Sequence, residues 1–166
     1  ECWELALKKT DGPSTMALTR QTVGSVRKAH TDENLSAKGG YVLSSGDGEE
    51  KIVLIATGSE VDIAVQAQEM LREAGISARV VSMPCMELFA EQADDYRCSV
   101  LPDGVPTLSV EAGVTFGWAR WADRSVGIDR FGASAPGERA MAELGITPDA
   151  VVTAAESLLD RPGGPR

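Results

Sequence analysis

From Gly39 onward the apolar positions fall into short, regular blocks separated by turn residues. Tyr41-Val42-Leu43 and Ile52–Ala56 read as strands, and the second is apolar on both faces, the pattern of a strand buried within a parallel or mixed sheet. Between them Ser45–Glu50, with Gly46-Asp47-Gly48 at its centre, reads as a hairpin turn. Thr57-Gly58-Ser59 then turns the chain into a helix, with Ser59 as N-cap and Asp62 favouring the positive helix end. Ala64, Ala67, Leu71 and Ala74, flanked by Ile63 and Met70, predict one buried stripe, and Gly75 stands where a C′ glycine belongs. Ala78–Met83 is a second β-rich run, stopped by Pro84. Strand, helix and strand with such short joints predict a βαβ unit with a right-handed crossover.

The pattern continues with helical material over Glu87–Val100, closed by Leu101-Pro102, and a core strand at Thr107–Val110 that ends in Glu111-Ala112-Gly113. Phe116–Ala122 reads as a short helix and Ser125–Ile128 as a short strand. Thr147-Pro148 starts a last helix with proline at N1 and an apolar face of Val151, Val152, Ala155, Leu158 and Leu159. These elements predict an α/β fold, one sheet domain over residues 39–160. Arg161–Arg166, with two prolines and two glycines, is expected to be a disordered tail. The opening is different. Trp3, Leu5, Ala6 and Leu7 suggest the last turns of a helix broken at Asp11-Gly12-Pro13, and Thr15–Thr19 reads as a short strand ending at Arg20-Gln21. Thr22–Lys38 has no clear period and reads as a connecting segment laid over a surface.

Composition narrows the function classes. A chain of 166 residues with 43% hydrophobic and 25% charged residues can bury a core of its own. The net charge of −9 opposes unspecific binding to nucleic acid or anionic membranes. No apolar run approaches the ~20 residues of a membrane span. Cys2, Cys85 and Cys98 form no C-x-x-C pair and the only histidine is His30, so soft-ligand zinc sites are unsupported. The thiols read as reduced, and with no leader of the secretory kind at the start the expected location is the cytoplasm.

Few residues carry candidate chemistry. Gly46-Asp47-Gly48 resembles the start of the motif that holds Mg²⁺ on the diphosphate in thiamine-diphosphate enzymes, but that motif needs a downstream asparagine, and none follows Asn34. Thr57-Gly58-Ser59 could cradle a phosphate at a helix start, although one glycine is no Gly-rich loop, and a structural turn and cap is the competing reading. Glu111, at a strand end, occupies a place where open α/β sheets bind ligands; the competing role is a structural carboxylate at a domain contact. Asp94-Asp95 reads as a solvated helix face, Trp118 and Trp121 as packing or interface, and His30 as a surface residue. Arg20, at the end of the Thr15–Thr19 segment, could clamp a phosphate or carboxylate with its planar fork of donors, or simply be solvated.

Taken together, these stretches resemble transketolase. Trp3-x-x-Ala6-Leu7, Gly12-Pro13 and Leu18-Thr19-Arg20-Gln21 are similar to the end of its pyrimidine-binding domain. Gly39-Gly40-Tyr41-Val42-Leu43, Ile55–Val61, Ala78–Pro84, Tyr96-Arg97 through Leu101-Pro102, Val110–Gly113, Gly127–Pro136 and Leu144–Thr147 resemble its third domain, in the same order. The resemblance implies residues 1–21 as the end of the pyrimidine-binding domain, 22–38 as a linker and 39–160 as the C-terminal domain, with a mixed, mostly parallel five-stranded sheet flanked by helices in three layers. It also implies a homodimeric, cytoplasmic enzyme that uses thiamine diphosphate with Mg²⁺ or Ca²⁺ to move a glycolaldehyde unit from a ketose phosphate to an aldose phosphate. The family's diphosphate domain, cation ligands and catalytic residues would lie upstream of Glu1, so this segment would bind no cofactor and have no catalytic residue of its own. One functional residue carries over: Arg20 matches the Leu-(Ser/Thr)-Arg-Gln arginine that binds the sugar phosphate. The rival reading is a free-standing module that binds an anion or nucleotide through Thr57–Ser59 and Glu111, or that only dimerises.

Overall fold

The computed structural model describes residues 1–160; the expected disordered tail at 161–166 lies outside them. A short helix, α1 (Cys2–Lys8), opens the chain, followed by an arm without strand or α-helix that reaches a 3₁₀ turn at Leu35–Lys38. Then come β1 (Tyr41–Ser44), β2 (Ile52–Ala56), α2 (Glu60–Glu73), β3 (Ala78–Ser82), α3 (Met86–Ala90), α4 (Asp94–Val100) and β4 (Thr107–Val110). A 3₁₀ helix at Thr115–Arg120, β5 (Arg124–Val126), α5 (Gly137–Glu143) and α6 (Pro148–Leu159) complete the order.

The five strands form one sheet in the order β1-β3-β2-β4-β5, parallel except for β1, which runs antiparallel beside β3. The α/β fold and the mixed, mostly parallel sheet are as expected. β2 lies at the centre because all five of its residues are fully buried. Its side chains alternate between two faces. Ile52, Leu54 and Ala56 join Val80, Leu108 and Val110 under α2 and α6, while Val53 and Ile55 join Val81, Met83, Phe89, Val100 and Trp118 under α3, α4 and the 3₁₀ helix. An unbroken apolar run is thus two half-runs, each serving one layer.

Three local expectations are corrected. Ser45–Glu50 is not a hairpin turn: β3 is inserted between β1 and β2, and the loop crosses it, anchored by Lys51 N–H to Ser77 O at 2.8 Å and Gly46 N–H to Glu50 Oε1 at 3.0 Å. A doubly buried β2 takes hydrogen-bonding neighbours on both edges, and the short α2 crossover delivers β3 to one of them. Thr15–Thr19 is not a strand, since no described strand runs alongside to pair with it. The single helical stretch over Glu87–Val100 is two helices, with a break at Glu91–Ala93. Neither α5 nor the Leu35–Lys38 turn has a periodic apolar signal, and α5 buries no residue.

Helix ends follow their residues closely. Gly75, at φ +79°, donates to Arg72 O and Ile76 donates to Leu71 O, the paired closure of a glycine-capped helix. Leu71, Ala67 and Ala64 are buried as expected, whereas Ala74 is exposed at the cap. At α6, Thr147 Oγ1 accepts from Ala150 N–H at 3.2 Å, with Pro148 at the first helical position. Thr147→Ala should lower stability by about 1 kcal/mol, and Thr147→Ser much less, in thermal denaturation.

α1 is tied to the rest of the chain through Glu1, the residue that precedes it. The Glu1 carboxylate receives Arg27 Nη2 at 3.0 Å, the Ser36 hydroxyl at 2.9 Å and the Ser36 N–H at 3.2 Å, while Arg27 Nη2 also donates to the Tyr41 hydroxyl at 2.9 Å. The Arg27 guanidinium, opposed by partial burial and assisted by Ser36, pulls the Glu1 carboxyl from 4.5 down to about 2. A carboxyl lowered on folding stabilises fully above its unfolded value, and that contribution disappears as pH falls toward 2. Glu1→Gln should therefore flatten the part of the stability loss measured by denaturation between about pH 5 and pH 2 that belongs to this node.

Candidate functional site

The parallel strands leave two regions to examine. One is the switch point of the sheet, where β3 lies on one side of β2 and β4 on the other. Ala56 is opposite Val110, so the Thr57–Ser59 turn and Glu111 emerge from neighbouring strand ends. The sequence places both there, and the structure brings them side by side. Gly58 has φ +58°, a conformation that favours glycine at this tight strand-to-helix turn.

The electrostatics of this region do not suit an anion. Ser59 makes no side-chain cap bond; its hydroxyl donates instead to Glu60 Oε1 at 2.8 Å. Glu60 is only 7% exposed, and together with Asp62 it puts two carboxylates in the first turn of α2. Carboxylates in the first turn compete with a phosphate for the positive end of the helix. Glu111 is also engaged, accepting from Trp118 Nε1 at 2.6 Å. It is a structural carboxylate whose partner lies in its own chain, and it ties the end of β4 to a tryptophan that is 1% exposed. Trp118 is packing, as is Trp121, whose ring lies 5.1 Å from that of Phe89.

The second region is the arm. Arg20 is exposed, and its side chain makes no hydrogen bond or ion pair with any described residue. The bend around it is held by its neighbours: Gln21 N–H donates to Thr19 Oγ1 at 3.4 Å, and the Thr19 hydroxyl donates to Gln21 Oε1. Gln21 in turn rests beside Gly137, where a Cβ would stand 3.9 Å from Gln21 Cγ and Nε2. This link between the arm and the start of α5 has no sequence signal, because α5 carries no stripe and the contact spans more than a hundred residues.

The remaining candidates stay apart. Asp94 pairs with Arg97 on a solvated face, and His30 is exposed beside Asp32 at 3.2 Å. All three cysteines are free, with Cys2 and Cys98 exposed and Cys85 half-buried. Asp47 sits in the loop that crosses β3, and no group of three or more His, Cys, Asp or Glu side chains arranged to hold a metal occurs among the described residues. No described helix is long and apolar enough to cross a membrane.

Comparison with known proteins gives this geometry its context. A family model described as the transketolase-like C-terminal domain matches residues 39–147. The transketolase of Rhodobacter capsulatus is 47% identical over 168 aligned positions, covering 96% of this chain and 25% of its own length. Among solved structures, transketolase from Leishmania mexicana superposes with a TM-score of 0.72 at 44% identity, over 75% of this chain and 18% of its own. A Pichia stipitis transketolase in complex with sedoheptulose 7-phosphate gives 0.71 at 42%, again over 75% of this chain and 18% of its own. The chain thus spans about a quarter of the length of the curated relatives it matches. With nearly all of its length aligned at this identity, and its sheet matched in space, the chain belongs to the transketolase family.

Proposed function

We propose that this chain is the C-terminal part of a transketolase, with residues 1–21 ending the pyrimidine-binding domain, 22–38 a linker and 39–160 the C-terminal domain. The whole protein transfers a two-carbon glycolaldehyde unit from a ketose phosphate to an aldose phosphate. One observation carries this reading: relatives named transketolase align along 96% of the chain while the chain fills only 25% of their length.

Thiamine diphosphate, with Mg²⁺ or Ca²⁺, supplies the carbanion chemistry of such an enzyme when bound. The described residues do not fit that group. Asp47 lies in a crossing loop without an asparagine partner, and no cluster of cation ligands comes together. This chain's own contribution is of two other kinds. Arg20 binds the phosphate of the sugar substrate, for which a partnerless, exposed guanidinium on a held bend is suited. The apolar side chains exposed at Trp3, Leu7, Leu18, Phe116 and Phe131 serve contacts with the upstream domains and with a second subunit of a homodimer. The net charge of −9 disfavours nucleic acid as a partner, and the expected location is the cytoplasm.

The test is the intact mass of the native protein in a lysate, read with transketolase activity. A mass several times the 17.5 kDa of this chain, coincident with activity, is the expected result. A mass near 17.5 kDa would overturn it in favour of a free-standing anion- or nucleotide-binding or dimerisation module.

A further inference from the structure

We infer that Thr19 and Gln21 are positioning residues for Arg20, fixing the backbone from which its side chain reaches the substrate phosphate; this rests on the phosphate-binding reading of Arg20. Among the described residues the Arg20 side chain has no hydrogen bond or ion pair. The backbone that carries it sets the point and the Cα–Cβ direction from which this side chain departs. That backbone is bracketed. Thr19 Oγ1 accepts the Gln21 N–H at 3.4 Å and donates its own proton to Gln21 Oε1, closing a ring across three consecutive residues with Arg20 in the middle.

A ring of this kind holds the φ and ψ of its central residue, and so the direction of its Cα–Cβ bond. The outer side of the bracket rests on the sheet domain, with Gln21 beside Gly137 at the first residue of α5. Among the described residues Thr19 and Gln21 are both exposed and the surrounding arm contains no strand, so Tm is measured beside the kinetics to separate a stability role from a positioning one. What the bracket restrains is Arg20.

The experiment uses the full enzyme carrying Thr19→Val, Thr19→Ser, Gln21→Ala or Arg20→Ala. Kinetics are measured with xylulose 5-phosphate and with unphosphorylated xylulose as donors, alongside Tm. Thr19→Val and Gln21→Ala are expected to raise KM for xylulose 5-phosphate about five-fold, from the loss of one hydrogen bond that preorganises the arginine. Their kcat, Tm and KM for xylulose should stay at wild-type values, and Thr19→Ser, which keeps the hydroxyl, should restore the wild-type KM. If Arg20→Ala is selective for the phosphorylated donor but Thr19→Val is not, the positioning role is overturned while the role of Arg20 stands. Equal losses with both donors, or a Tm drop matching the kinetic loss, overturn it as well. If Arg20→Ala itself shows no preference, the phosphate reading falls and this inference with it.

Discussion

Arg20→Ala in the full enzyme is expected to raise KM for a ketose phosphate by about 30- to 150-fold, equivalent to roughly 2–3 kcal/mol of lost binding. The size follows from the pair involved. A phosphate dianion and a planar guanidinium form two parallel charge-assisted hydrogen bonds, about twice as strong as neutral ones. Arg20 has no intramolecular ion pair among the described residues to break before it can bind. Unphosphorylated donors should suffer much less, because only the phosphate meets the fork. Arg20→Lys should recover part of the loss, supplying the charge without the bidentate geometry. Steady-state kinetics with matched phosphorylated and unphosphorylated ketoses decide the matter, and equal losses for both would remove Arg20 from the substrate site.

Gly39→Ala is expected to be the most damaging single methyl in the fold, costing about 3–5 kcal/mol or preventing folding. Gly39 has φ +77° and ψ −30°, a region that L-residues rarely enter. A Cβ built there would stand 2.2 Å from Phe89 N, 2.4 Å from Cys85 O and 2.7 Å from Leu88 C. All three are backbone atoms of α3 and its N-terminal edge, so no side-chain rotation relieves the overlap. The carbonyl of Gly39 also accepts the Cys85 N–H at 2.9 Å, so moving the glycine would break its link to the start of α3. Gly48→Ala is the control: φ is +79° there, but nothing lies within 4 Å, so it isolates the backbone term. Denaturant unfolding of the two variants checks the difference, and equal losses would show that the clash at Gly39 is relieved.

The two predictions differ in how they could be reached from the chain alone. Spacing and residue type do not distinguish Arg20 from a solvated or structural arginine, and only the motif Leu18-Thr19-Arg20-Gln21, through its family resemblance, singles it out. Gly39 was legible as the start of the sheet domain, but not as a point of backbone contact, because its neighbours Cys85 and Phe89 lie almost fifty residues away. Thr57–Ser59 is legible as a strand-to-helix turn, but the choice between a structural turn and a phosphate cradle is not. Whether Glu60 faces solvent or folds back beneath that turn depends on packing rather than on the local pattern.

The sequence by itself determined the elements whose stabilising contacts are close along the chain. These are the doubly buried β2, the striped and glycine-closed α2, the proline-started α6 and the α/β class that their alternation requires. Such elements are set by periodicity and by caps whose partners lie within a few residues. The tertiary structure alone decided that β1 pairs with β3 rather than β2, that Glu111 is held by Trp118, and that the Arg20 bend rests on α5. The first and last join partners remote in sequence, and the second depends on how the 3₁₀ helix folds back seven residues onto the end of β4. A strand edge, a carboxylate or an exposed amide is satisfied equally well by many neighbours locally, and only the packed sheet determines which of them is within reach.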